Sequence, residues 1–143
     1  MHRQVSRLEK MTGDLTASLC DILEWRWDDR FDTALAQFSV AAQGRVGHIL
    51  AGTLDHAWDR GNAEGSPEII RMIIDYFGGI QHDQKLLSSD PDRDDILVCA
   101  WWPWMDGETV SIRLAVHDRS MGDKENSELT GAFKKWMIKG RAG

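Results

Sequence analysis

Apolar residues recur at helical spacing over the first two thirds of the chain and switch to a period of two in the last third. Near the start, Val5, Leu8, Leu15, Leu19 and Ile22 follow a three/four step; Thr12 fills one apolar slot and Gly13 weakens the helix beside it. Two readings fit this segment: one interrupted helix over about 4–25, or a loose arm over 1–13 followed by a helix from about residue 14. Phe31, Leu35 and Phe38 predict a second helix over about 30–42, with Asp28, Asp29 and Asp32 gathered where its first amides need acceptors. Val46, Ile49, Leu50, Leu54, Ala57 and Trp58 predict a third over about 45–59. Ser66-Pro67-Glu68 opens a fourth, which buries Ile69, Ile70, Met72, Ile73, Ile74 and Phe77 and stops at Gly78-Gly79.

From Lys85 onward the pattern is that of strands. Residues 85–88 read as a short strand, and the runs 95–102 and 108–116 flank Asp106-Gly107, a hairpin signal because both residues tolerate the positive φ that a tight turn demands. Centring the turn there sets Leu97 opposite Val116, Cys99 opposite Leu114, Trp101 opposite Ile112 and Pro103 opposite Val110. Opposed residues share a face, so this face is wholly apolar and belongs to the core. The other face carries Ile96, Val98, Ala100, Trp102 and Trp104 against His117, Ala115, Arg113, Ser111 and Thr109. A closing helix over about 124–139 has acids early and lysines late, matching the helix dipole, with Leu129, Phe133, Trp136 and Met137 on its buried side. The expected fold is a single α+β domain spanning 1–143: about four N-terminal helices, an antiparallel hairpin or three-stranded sheet, then a C-terminal helix.

Composition narrows the function without naming it. The 143 residues carry a net charge of −6, which disfavours a module built to neutralise phosphates. Residues 55 and 59, both Asp, lie on what would be the recognition helix of a helix-turn-helix, so nucleic acid is not an expected partner. No apolar run is long enough to span a membrane, and the polar first ten residues lack the core of a secretory signal. Two cysteines, Cys20 and Cys99, fit buried thiols in a reducing cytoplasm rather than a disulfide framework.

Candidate chemistry is sparse. His48, His56 and Asp59 would sit on the third helix, but His48 has Gly52 at its i+4 position, and two ligands do not complete a zinc site. Asp90-Pro91-Asp92-Arg93-Asp94 alternates like the opening of a calcium loop, yet Asp95 stands where glycine is required. A Cys99–His117 dyad fails, because the hairpin register sends the two side chains to opposite faces. No cofactor motif is present, and no motif is specific enough to name a family.

The mixed hairpin face remains. Trp102, Trp104, Arg113 and His117 lie on it together, and Trp and Arg dominate binding hot spots. The leading expectation is therefore a small acidic, non-catalytic, cytoplasmic domain that binds another protein through this face, with Trp104 as anchor. A metal-dependent enzyme using His48, His56 and Asp59, or a small-ligand site on the same face, is the alternative. The N-terminal apolar stripe adds the expectation of a homodimer.

Overall fold

The structure, a computed structural model, describes residues 3–138, with side chains from residue 6 onward. His2, the Val5 side chain and Lys139 lie outside the described residues. In chain order the elements are α1 (Arg3–Leu19), β1 (Arg26–Asp28), β2 (Thr33–Ser39), α2 (Gln43–Thr53), β3 (His56–Asp59), α3 (Glu68–Tyr76), β4 (Lys85–Ser88), β5 (Asp95–Pro103), β6 (Thr109–Asp118) and α4 (Asp123–Ile138). All six strands form one antiparallel sheet in the order β1-β2-β6-β5-β4-β3. The class is α+β, but four leading helices followed by a small sheet is not the arrangement. Helices are interspersed among the strands, and the sheet is twice the largest size expected.

Two predicted helices account for the difference. The segment expected as helix 30–42 is mostly β2. Its residues satisfy both periods: Phe31, Leu35 and Phe38 fit a helix, while Ala34, Ala36 and Phe38 alternate onto one face of a strand. Six register pairs with β6, from Ala34↔Leu114 to Ser39↔Thr109, decide for the strand. The helix propensity of alanine is a small term beside such pairing and burial. The segment expected as helix 45–59 stops at Thr53. Leu54 leaves the helix at φ −108°, ψ 78°, and His56–Asp59 turns alternate residues inward as β3. At the N-terminus, α1 runs unbroken through Thr12-Gly13, with Leu8, Thr12, Leu15 and Leu19 buried. Leu8, Leu15 and Leu19 of its stripe belong to the larger core of the same chain.

The β5–β6 register is the one the Asp106-Gly107 turn predicts, from Leu97↔Val116 through Pro103↔Val110. Its apolar face enters the larger core, where Leu97, Cys99, Trp101, Val110, Ile112 and Leu114 meet side chains of α1, α2 and α4. The other face builds a second core, in which Ile96, Val98 and Ala100 lie under Ile69, Ile70, Ile73, Ile74 and Phe77. Each of the buried Ile, Val and Phe side chains contributes roughly 1.5–3 kcal/mol. Among the described helices α3 alone covers this side of the sheet, joined by Phe31, Ala63 and Ile80, and it ends where Gly78 and Gly79 adopt φ of 89° and 97°.

Two asparagines bond backbone groups that neighbouring strands leave unpaired. Asn62 Nδ2 donates to the Ala57 carbonyl at 3.1 Å while its Oδ1 accepts from the Asp59 amide at 2.7 Å, so the outer edge of β3 is occupied. Asn126, in the first turn of α4, does the same at Asp118: Oδ1 accepts from the amide and Nδ2 donates to the carbonyl, both at 2.8 Å.

Candidate functional site

Trp102 and Arg113 project from the face that the hairpin register assigns to them, but the protein itself occupies them. The Arg113 guanidinium carbon lies 4.3 Å from the centroid of the Trp102 ring and 5.4 Å from that of Phe31. Its Nε donates to Asp28 Oδ2 at 3.0 Å, with both side chains only 15% exposed. Phe31 and Phe77 meet the Trp102 indole edge-on at 5.9 and 5.7 Å. β1, the β1–β2 turn, the end of α3, and β5–β6 are locked together by this cluster.

His117 lies apart from that cluster, half-buried near the end of β6. Burial lowers its pKa below the ordinary histidine value, more than nearby Asp118 raises it, so the imidazole is neutral at pH 7. It lines a cleft of about 580 Å³ whose other walls include Phe31 and Asp32 of the β1–β2 turn, Met72, Asp75, Tyr76 and Phe77 from α3 and the turn that follows it, and Thr130 of α4. Tyr76 donates its hydroxyl to the Phe31 carbonyl at 2.7 Å; burial, then the charges of Asp32 and Asp28, raise its pKa. Asp32 sits at φ 53°, and neither Asp32 nor Asp75 forms an ion pair with any described residue.

Backbone also faces this cleft. Pairing of β2 with β6 stops at Ala34↔Leu114, although β6 continues to Asp118. Asp118 turns its N–H and C=O away from β5 toward Asn126, and alternate residues point the same way. Val116 therefore turns its N–H and C=O to the same open margin, where no residue of β2 reaches them.

Trp104 is placed differently from the other three predicted site residues. It stands at the tip of the β5–β6 hairpin, 44% exposed, next to the fully exposed Met105. The tip is rigid. Asp106 Oδ1 accepts from the amides of Glu108 and Thr109 at 2.8 and 3.0 Å, its Oδ2 accepts from the Thr109 hydroxyl at 3.0 Å, and Trp104 donates its amide to the Thr109 carbonyl at 2.8 Å. Those donors, the Glu108 amide foremost, hold the Asp106 carboxyl below its usual pKa. Trp101, three residues earlier, is 6% exposed, edge-on to Phe38 at 5.5 Å and capped by Lys85 Nζ at 4.9 Å.

The candidate metal ligands do not converge. His48 is on α2, whereas His56 and Asp59 are on β3; His56 Nδ1 lies 2.9 Å from Asp55. Among the described residues no group of three or more His, Cys, Asp or Glu side chains could hold a metal ion. Asp95 of the acidic turn is buried between Arg7 and Arg93, at 3.3 and 3.2 Å. The Cys99 thiol is enclosed in the larger core, where burial pushes its pKa far up, and His117 faces the other side. None of the described helices is long and apolar enough to cross a membrane.

The cleft residues Phe31, Asp32, Met72 and Tyr76 were not candidates from sequence. Separate segments supply them, and only the positions of the acids before residue 33 and of Met72 among isoleucines hinted that these side chains do more than cap or fill a helix. No protein-family model, curated protein or solved structure matches this chain.

Proposed function

We propose that this chain is a non-catalytic protein-binding domain that grips its partner with the tip of the β5–β6 hairpin. One observation carries the reading: a stiff turn presents Trp104 and Met105, two large apolar side chains, to solvent. Exposed Trp on a preorganised support is the residue type that contributes most at interfaces, because little conformational entropy remains to be lost on binding. The exposed Asp106 and Glu108 flank the pair, so the fitting partner surface is an apolar pocket rimmed by Lys or Arg. The net charge of −6 favours encounter with such a basic surface. Trp102 and Arg113 serve as the support behind the tip rather than as contacts.

Replacing Met105 with a photo-crosslinking residue and irradiating in the native cell extract tests this reading. The expected result is one discrete protein adduct, which Trp104→Ala weakens by about 30-fold or more, the equivalent of ~2 kcal/mol. Melting of Trp104→Ala should match that of the parent. An adduct that Trp104→Ala leaves unchanged, or no discrete adduct, overturns the proposal.

A further inference from the structure

The geometry points to a second, independent site: the cleft between α3, the β1–β2 turn and the end of β6 binds a small organic ammonium with an apolar or aromatic body. Its volume of about 580 Å³ falls within the range of small-ligand pockets. Met72, Tyr76 and Phe77 supply apolar and aromatic wall, and Met72 and Tyr76 remain half exposed or more on the outer face of α3 that also carries Asp75. Asp32 and Asp75 bring two carboxylates to the same cleft, and no cation of the described protein neutralises either. Of the nearby arginines, Arg30 lies 5.0 Å over the Phe31 ring and Arg113 is bonded to Asp28, and neither forms an ion pair with Asp32 or Asp75. The Val116 carbonyl offers an acceptor and its amide a donor at the margin that β2 leaves open.

These features select for charge and for size. An ammonium can donate to carboxylates and to a carbonyl while its body displaces water from aromatic walls, and a tyrosine face attracts cations. An anion would meet the like charges of Asp32 and Asp75. His117, which burial keeps neutral, adds no opposing charge at pH 7. An added peptide strand does not fit. Between the last β2 pair at Leu114 and the Asn126 plug at Asp118, only Val116 has outward backbone groups to offer. The hairpin tip of a second copy does not fit either, because Asp106 and Glu108 would face the cleft carboxylates.

The test compares three probes of nearly equal shape at pH 7: phenylethylammonium, 2-phenylethanol and phenylacetate. The readout is the ¹H–¹⁵N NMR shift of the Tyr76, Val116 and His117 amides during titration. Phenylethylammonium should produce saturable shifts at these three amides and bind about tenfold more tightly than the alcohol, as one charge-assisted hydrogen bond implies. Phenylacetate should bind more weakly than the alcohol. Asp32→Asn combined with Asp75→Asn should reduce the ammonium to the affinity of the alcohol with melting unchanged; asparagine suits the positive φ at residue 32. Equal affinity for alcohol and ammonium, preference for the carboxylate, or no saturable shift at the cleft amides overturns the assignment. So does a Trp-Lys dipeptide amide that binds tenfold more tightly than phenylethylammonium, because it would reassign the cleft to a basic polypeptide segment.

Discussion

The two faces of the sheet are covered in different ways. Three helices lie over one face, and its core residues, among them Phe133, Leu114 and Cys99, are fully enclosed. The other face has α3 alone, nine residues long, and beyond that helix the strands carry Arg113, Ser111 and His117 beside aromatic rings. A single short helix cannot seal a sheet of six strands. What it leaves uncovered is partly closed by the Arg113–Asp28 ion pair and edge-on rings, and on the far side of Phe31 and Phe77 it stays open as a cleft. The closed face holds the larger core, whereas the incompletely covered face joins a smaller core to an ion pair and a cleft.

Substitutions can break this contrast, and the largest effect is expected on the closed side. Trp101→Ala should cost ~3–5 kcal/mol, the usual range for a truncated core aromatic, and lower the melting temperature by roughly 10 °C or more. A cost below 1 kcal/mol, measured by chemical denaturation, would mean that this face is not the closed one. On the other side, Arg113→Leu should cost about 1–3 kcal/mol, because Asp28 is left 15% exposed and without its guanidinium. Arg113→Lys should lie between the two, since a lysine keeps the charge but not the planar stack on Trp102. Equal melting of Arg113→Leu and the parent would remove the ion pair from the account of how this face is held.

The smallest effect sharpens the picture at the cleft. His117 has a depressed pKa in the folded protein, so below the unfolded value of about 6.5 the unfolded chain binds the extra proton first. Its contribution to stability is whole above about pH 6.5 and is lost as the pH falls from there through the lower folded value. His117→Gln should flatten the stability profile on the acid side of pH 6.5 while leaving stability near pH 8 almost unchanged. A profile that keeps its slope would assign the titration to another group.

The β5–β6 hairpin was legible because one turn dipeptide and the run Val110-Ile112-Leu114-Val116 permit a single register. α3 and α4 were legible from their own spacing. β2 and β3 were not, because their strand character is decided by partners elsewhere: Ala34 by Leu114, and Trp58 by Leu86 with a bond from its indole to Ser88. The same limit applies to the site. The side of the hairpin occupied by Trp102, Arg113 and His117 followed from register. That Phe31, Asp28 and Phe77 would engage the first two followed only from long-range packing, which a local period does not encode.

The pairing of β2 with β6 also has consequences for the order of assembly. Ala34 must find Leu114, and more than half of the chain lies between them. During synthesis β2 leaves the ribosome long before its partner exists, so the N-terminal half has no complete sheet to join. The β5–β6 hairpin is closed by a short turn and needs no distant contact, so it is the natural seed onto which β2 and then β1 add from one side and β4 and β3 from the other. Loop-closure entropy weighs most on the β2 step, which is expected to be slower than closure of the hairpin. Until it is made, the margin of β6 from Val110 to Leu114 is bare, and it is in that interval that the chain is most open to pairing with a neighbour still folding.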